Sequence, residues 1–212
     1  MVANGRVINY DDKAKEIIKS RVPEEKDFPS VVLIDNISYC NLKCSMCFHK
    51  NMKRKAGIME WDLYKKMLDE FGKPDQKVVV QLVEMDINAD ELQDFVKFWH
   101  DENGIECKIR PMVSWAGKAG KEATNLKDNV DRLPCYWAMN TINITDQGNV
   151  ALCSVDLDCA TPMGNIVNSS IKEVWNSTLK EFRDNQRNGN WDKIPPMCQQ
   201  CKDWQSGYAK YL

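Results

Sequence analysis

The sequence predicts an α/β fold, a parallel sheet with crossover helices, followed by a smaller α+β region. β-rich runs alternate with helix-like segments from residue 31 to residue 115, and such alternation is typical of parallel strands joined by helices. After residue 133 the pattern changes to a β-hairpin and a helix. With 43% hydrophobic residues in 212, the chain can bury a substantial core.

The first half has one strand, a cysteine-rich loop and then further helices and strands. "VVLIDNI" at 31–37 is β-rich and leads directly into the loop. "MEWDLYKKMLDEFG" at 59–72 places Trp61, Met67 and Phe71 on one helical face. The segments that follow are predicted as a strand, a helix and a strand, at 77–83, 89–103 and 106–115.

The predicted helix at the start of the chain spans residues 11–21, where acidic residues come first and basic ones last, as the helix dipole favours. Residues 22–30, "VPEEKDFPS", are predicted to be a linker.

The second half begins with a connecting loop at 116–133, rich in Gly, Lys, Asn and Asp. "TINIT" and "VALC" then flank the turn "DQGN" at 146–149, which predicts a hairpin. "SIKE" at 170–173 matches a helix capping box, and the helix should continue until "NGN" at 188–190.

Charge and hydropathy exclude several classes of partner. The net charge is −2 and the sequence pI about 5.8, so neither nucleic acid nor an anionic membrane surface is an expected partner. The longest apolar runs are strand-sized, and residues 1–12 lack the apolar core of a signal peptide. These features predict a soluble cytoplasmic protein.

Nine cysteines in such a chain are better explained by metal or cluster ligation than by disulfides, because the cytosol keeps thiols reduced. Cys40, Cys44 and Cys47 lie on the loop after the first strand. Three thiolates cannot close a tetrahedral site, and neither histidine stands at a usual zinc-finger spacing. These three cysteines could hold a 4Fe-4S cluster, in which one iron would stay open. The alternative occupant is a zinc ion that takes a further ligand.

A second set of cysteines can close a site completely. It comprises Cys135, Cys153 at the end of the hairpin, and the C-x2-C pair Cys198 and Cys201. Four thiolates suit either a 4Fe-4S cluster or a tetrahedral zinc ion. Cys107 and Cys159 match no ligand position and are predicted to be packing thiols.

The C-x3-C-x2-C spacing just after the first strand resembles the radical SAM superfamily. The resemblance implies that Cys40, Cys44 and Cys47 ligate a 4Fe-4S cluster whose open iron binds S-adenosylmethionine. It also implies reductive cleavage of that cofactor to a 5'-deoxyadenosyl radical, which abstracts a substrate hydrogen. The residue before the last cysteine, usually aromatic in the family, is Met46, whose backbone would pass near the adenine.

The later motifs resemble the SPASM extension of these enzymes in its shortened twitch form. They are the C-x12-G-x4-C hairpin up to Cys153, "MGN" at 163–165, "SIKEVWN" at 170–176 and the closing C-x2-C. The resemblance implies one auxiliary 4Fe-4S cluster on Cys135, Cys153, Cys198 and Cys201.

The core departs from the family pattern, which has six βα units and a "GGEP"-like motif after the second strand. The sequence contains no such tetrapeptide. In one alignment Glu84 stands in a degenerate form of that motif; in the other, which we favour, residues 78–117 resemble the late barrel and earlier units are absent. The expected domains are an N-terminal helix and linker at 1–28, a shortened partial (β/α) barrel at 29–118 and a SPASM/twitch domain at 119–212.

The function implied is that of a radical SAM oxidoreductase or modifying enzyme that acts on a sugar-like or peptide substrate. A reducing partner such as flavodoxin or ferredoxin would supply electrons, and a dimer could complete the short barrel. The rival predictions are a non-catalytic iron-sulfur carrier or a truncated fragment, and a zinc-stabilised binding module.

Overall fold

The computed structural model describes residues 22–41, 44, 47–71, 79–84, 86–111, 113–117 and 131–208. They belong to two compact units. We call Glu24–Asp75 with Trp137–Gln200 the hairpin unit, and Met1–Pro23, Gln76–Tyr136 and Cys201–Leu212 the β2–β3 unit. The predicted helix at 11–21 and Met46 lie outside the described residues.

Within the described residues, six strands form two separate sheets. They are β1 (Val31–Ile34), β2 (Val79–Glu84), β3 (Glu106–Pro111), β4 (Thr141–Ile144), β5 (Asn149–Ala151) and β6 (Gly164–Asn165). The hairpin unit holds a sheet in the order β1-β4-β5-β6, in which β1 and β4 are parallel and the other pairs antiparallel. In the other unit β2 and β3 form a parallel pair.

The structure pairs β1 with β4, whereas we expected β1 to be the first strand of the core at 29–118 and the hairpin to belong to the domain at 119–212. The register aligns Val31 with Thr141 and Ile34 with Ile144. On β4 the isoleucines at 142 and 144 are 0% and 2% exposed, so alternation along "TINI" directs one apolar face into the core. The compact units divide the chain differently from the limits 29–118 and 119–212, which stay a prediction.

The predicted hairpin is confirmed. The Thr145 backbone N–H donates to Asn149 O at 2.9 Å, and the Thr145 hydroxyl accepts from Asn149 N at 3.2 Å. Gly148 has φ +76°, which a residue without Cβ adopts at little cost. Its N–H donates to Thr145 O at 2.9 Å, so these backbone groups find their hydrogen-bond partners within the turn.

The helices are α1 (Trp61–Phe71), α2 (Leu92–Val96), α3 (Tyr136–Asn140), α4 (Ile171–Asn176), α5 (Thr178–Arg187) and α6 (Pro196–Gln200). The predicted capping box is confirmed: the Ser170 hydroxyl accepts from Glu173 N, and Ser170 N donates to the Glu173 carboxylate. The helix predicted after it is interrupted at Ser177, whose φ −110° and ψ −108° are not helical. The end before "NGN" is confirmed by α5, which stops at Arg187.

Glu25 and Lys26, in the predicted linker at 22–30, contact the helices of the hairpin unit. Trp175 is fully buried and donates its indole N–H to Lys26 O at 2.7 Å. The Arg183 guanidinium, also fully buried, lies 3.6 Å from the Trp175 ring centroid and pairs with Glu25. Burial opposes ionisation of Glu25, but the hydrogen bond and the charge of Arg183 outweigh it and lower the pKa of that carboxyl.

The β2–β3 unit confirms the predicted strand, helix and strand with a less regular helix. The crossover runs through a 3-10 turn (Asp86–Glu91), then α2, then a π-helical turn (Lys97–Glu102). Asn88 interrupts the first turn with φ −129°, and its side-chain amide donates to Val83 O at 3.0 Å. Across the described ranges, no helix has the length and apolarity needed to cross a membrane.

Candidate functional site

The first cysteine loop leaves β1 in the hairpin unit with its thiols accessible. Cys40 and Cys44 are exposed and Cys47 is half-buried. Cys47 N donates to Cys44 O at 3.1 Å, and the Cys47 sulfur accepts from His49 N at 3.4 Å, which caps a short 3-10 helix at Phe48–Asn51.

The base of this loop is fixed by buried polar contacts. Ser38 is 2% exposed; its hydroxyl accepts from Gly57 N at 2.8 Å, and its N–H donates to Gly57 O at 3.0 Å. The His49 ring Nε2 lies 2.9 Å from Ser38 O. Because a carbonyl only accepts, the bond places the ring proton on Nε2 and leaves Nδ1 as an acceptor when the imidazole is neutral.

Arg54 connects the segment after the loop to the end of β1, to the β4–β5 turn and to the segment after β5. Its guanidinium pairs with Asp35 and Asp146, and its Nε donates to Leu157 O at 2.6 Å. The Asp146 side chain is 1% exposed, so Arg54 compensates a carboxylate that has almost no water. Nothing in the sequence distinguished Arg54 from the other basic residues at 50–55.

A cavity of about 300 Å³ opens on the face of the hairpin-unit sheet next to this arginine. Leu33, Asn143 and Ala151 lie side by side across three strands at its floor. Cys153 and His49 also line it. Residues from both predicted cysteine regions therefore reach one cavity within a single unit.

The second cysteine set divides between the two units: Cys153 and Cys198 belong to the hairpin unit, Cys135 and Cys201 to the β2–β3 unit. All four are half-buried. Burial raises the pKa of Cys201 to about 12, and the Asp203 carboxylate and the Cys135 thiol add to the effect. Without a metal Cys201 therefore keeps its proton, which a bound metal or cluster would displace.

Asp203 is a buried carboxylate that the sequence did not single out. It is 4% exposed and accepts backbone N–H groups from Ser114 at 2.6 Å and Ala116 at 2.8 Å. Trp115, Ala116 and Gly117 all have positive φ, and the Ser114 and Ala116 N–H groups of this turn converge on the Asp203 carboxylate. These hydrogen bonds hold the residues after the C-x2-C pair against the turn that follows β3.

The remaining predicted positions are in the following places. Glu84 is the last residue of β2 and is half-buried, in a different unit from the first cysteine loop. Cys107 is fully buried on β3, and burial raises its pKa, as expected for a thiol that only packs in the core. Burial also raises the pKa of Cys159 to about 11, with Asp156 adding to the effect.

The donor chemistry fits iron-sulfur ligation. None of the seven predicted ligands is in a disulfide, and cysteine thiolates are the common ligands of such clusters. Within the described part of the chain, no three or more His, Cys, Asp or Glu side chains gather closely enough to hold a metal ion. Thiolate sites commonly assemble around the metal, because binding and local folding are coupled.

Comparison with known proteins supports the resemblance. Residues 135–202, about a third of the chain, match the family profile of SPASM, described as an iron-sulfur cluster-binding domain. That segment contains Cys135, Cys153, Cys198 and Cys201. No curated protein matches the sequence significantly.

The structure matches BtrN, a radical SAM enzyme, in its crystal structure in complex with AdoMet and 2-DOIA. The TM-score is 0.55 at 19% identity, and the match covers 85% of this chain and 94% of BtrN. An open conformation of selenomethionine BtrN matches with a TM-score of 0.47 at 18% identity, over 82% of this chain and 92% of that one. The predicted resemblance is thus supported by the SPASM match over residues 135–202 and by the likeness of the fold to that of BtrN.

Proposed function

We propose that the protein is a radical SAM enzyme with two 4Fe-4S clusters that oxidises or modifies a substrate by hydrogen abstraction. The observation that carries the proposal is that seven of the nine cysteines, none in a disulfide, fall into a set of three and a set of four, the latter inside the SPASM match. A set of three keeps one iron open for a cofactor, whereas a set of four closes its site.

Cys40, Cys44 and Cys47 are proposed to hold the first cluster, which, with S-adenosylmethionine bound, supplies a hydrogen-abstracting radical. Their loop is accessible to cluster assembly because two of the three thiols are exposed. The His49 N–H at the Cys47 sulfur and the Ser38 contacts keep the end of the loop in one orientation. Met46 and Glu84 stay predictions as cofactor-binding residues.

Cys135, Cys153, Cys198 and Cys201 are proposed to hold a single auxiliary 4Fe-4S cluster, the arrangement of a twitch-type extension. Its role would be to accept an electron from the substrate or to anchor it. Cys153 lines the 300 Å³ cavity, so a substrate group bound there for oxidation would lie beside this cluster-ligating cysteine. A tetrathiolate zinc ion is the competing occupant.

The proposed substrate is sugar-like, with a peptide as the second candidate. BtrN, which shares the fold, was crystallised with AdoMet and 2-DOIA. We further propose a shortened barrel, a reducing partner such as flavodoxin or ferredoxin, dimerisation as a way to complete the barrel, and a cytoplasmic location, which suits nine reduced thiols.

The test is formation of 5'-deoxyadenosine, measured by mass spectrometry. Anaerobically reconstituted protein is given S-adenosylmethionine and a strong reductant, and Cys40→Ala, Cys44→Ala and Cys47→Ala variants serve as controls. Product above these controls is the expected result. Its absence in protein shown by iron, zinc and sulfide analysis to carry both clusters would favour the non-catalytic iron-sulfur alternative; zinc in place of iron would favour the binding module.

A further inference from the structure

The loop after β5 begins at Cys153, the hairpin ligand of the proposed auxiliary cluster, and is braced by its own hydrogen bonds. Asp156 is 2% exposed, and its N–H donates to Cys153 O at 3.1 Å. The Asp156 carboxylate accepts two backbone N–H groups from the end of the loop, at 2.9 and 3.2 Å. These bonds all lie within residues 153–161, so the shape of this 153–161 loop is set locally. Its tip is formed by Leu157 and Asp158.

The tip of the 153–161 loop contacts the segment that follows the first cysteine loop. Oδ1 of the Asp158 carboxylate accepts the backbone N–H of Lys53 and, at 3.0 Å, that of Arg54. Leu157 O accepts from Arg54 Nε at 2.6 Å. Both segments belong to the hairpin unit, and more than one hundred residues separate them in the sequence. The two cysteine regions therefore meet through a tertiary contact that neither cysteine makes.

The segment that receives the tip has no regular secondary structure of its own. Within the described structure, residues 52–57 form neither helix nor strand. A single 3-10 helix at Phe48–Asn51 separates them from Cys47, whose sulfur caps that helix. A displacement of Lys53 and Arg54 would therefore be passed through one short helix to Cys47.

The entry of the cysteine loop is fastened to the same place. Arg54 pairs with Asp35, at the end of β1, and with the buried carboxylate of Asp146. That carboxylate leaves no room for a side chain at Gly57, whose Cβ would collide with it. Arg54 thus joins the two ends of the cysteine loop, and Asp158 holds the backbone of Arg54 itself.

The chemistry of the contact makes it effective for positioning. A carboxylate that accepts two successive backbone N–H groups forms charge-assisted bonds, which are stronger than neutral ones. Groups that orient metal ligands without touching the metal change metal affinity by about 10–100-fold when they are removed. Because Asp158 acts through a short helix, we expect the lower end of that range, about tenfold.

We infer that Asp158 is a positioning residue for the first cluster, because by holding Lys53 and Arg54 it fixes the orientation of Cys47. The inference rests on the proposed function for the assignment of the cysteines to two clusters. Asp158 lies within residues 135–202, the segment that matches SPASM. This segment would then supply ligands to the auxiliary cluster and a positioning group to the other.

The test measures each cluster separately, as the rate at which anaerobically reconstituted full-length protein releases iron to a ferrous-iron chelator. Cys198→Ala isolates the first cluster, and Cys40→Ala isolates the auxiliary one. Asp158→Ala should release iron about tenfold faster from the first cluster and change the auxiliary rate by less than about twofold. It should also alter the electron paramagnetic resonance spectrum of the reduced first cluster, a signal that a loss of stability elsewhere would not move.

Two variants serve as controls. Asp158→Asn keeps an oxygen acceptor in the same place and should restore most of the wild-type rate. Asp184→Ala removes an exposed carboxylate that pairs with Lys180 on α5 of the same unit, and should leave both rates unchanged. Circular dichroism would show that the variants are folded. Should Asp158→Ala unfold, Asp158→Glu, which keeps the charge but displaces the acceptor, takes its place.

The metal-free full-length chain gives a second readout that does not need the proposed clusters. Cys47 is half-buried, whereas Cys40 is exposed. Alkylation by iodoacetamide, followed at each cysteine by mass spectrometry, should be about fivefold faster at Cys47 in Asp158→Ala, because two hydrogen bonds to its segment are lost. Cys40 should keep the wild-type rate.

Three outcomes would overturn the inference: a wild-type rate at the first cluster in Asp158→Ala, equal acceleration at both clusters, or an Asp158→Asn variant as fast as Asp158→Ala. Faster alkylation of Cys47 in a chain that forms no clusters would refute the proposed function and leave the role of Asp158 in the loop standing. 5'-Deoxyadenosine formation together with iron release that ignores Asp158 would refute only the positioning role.

Discussion

Removal of Arg54 should destabilise the hairpin unit through the carboxylate that it leaves behind. In Arg54→Ala, Asp146 loses its ion-pair partner while its side chain is only 1% exposed. Breaking a buried ion pair from one side typically costs about 3–5 kcal/mol, and the 16% exposure of Arg54 favours the lower end, about 3 kcal/mol. With a urea slope of about 2 kcal/mol/M, the unfolding midpoint should fall by about 1.5 M.

Urea unfolding followed by tryptophan fluorescence measures this shift. Lys65→Ala is the matched control, because it breaks an exposed pair with Asp62 on α1 and should leave the midpoint unchanged. Arg54→Ala combined with Asp146→Asn should recover part of the loss, since the buried charge is then gone. A midpoint for Arg54→Ala equal to that of Lys65→Ala would refute the reasoning.

Three further predictions concern other buried groups. Arg183 lowers the pKa of Glu25, so the ion pair between them stabilises the fold above the usual carboxyl value of 4.5, and this stabilisation is lost as the pH falls through the lowered pKa. Glu25→Gln should therefore reduce the urea midpoint at neutral pH and match the wild type in acid. Asp203→Asn should cost about 1.5–3 kcal/mol and lower iron content, because charge-assisted bonds to two buried amides are lost; unchanged iron and midpoint would contradict this. Cys159→Ala should retain the wild-type iron content, whereas Cys201→Ala should lose the iron of one cluster; equal losses would make Cys159 a ligand.

Local patterns predicted much of the fold. The hairpin at 141–151, the capping box at Ser170 and Glu173, and the parallel pair β2–β3 all follow from residues close in sequence. The pairing of β1 with β4 joins segments that lie more than one hundred residues apart. Alternation marks each strand as β but does not specify its partner, so the sequence could not assign this register.

The candidate site shows the same limit. Cysteine spacing alone indicated the ligand sets, because spacing is a property of the chain itself. Arg54, Asp203 and Asp158 were missed because each acts through contacts with distant segments: Arg54 with Asp146, and Asp203 with the turn at Ser114. Asp158 accepts N–H groups from residues more than one hundred positions earlier in the chain, and no local pattern in the sequence marks such a contact.

The most direct test of the central claim is electron paramagnetic resonance of the reduced, reconstituted protein before and after S-adenosylmethionine is added. The account predicts two cluster signals, one of which changes on addition because the cluster on Cys40, Cys44 and Cys47 has an open iron. That change should be absent in Cys40→Ala and present in Cys198→Ala. Two cluster signals that both ignore S-adenosylmethionine would contradict the claim that the first cluster binds this cofactor.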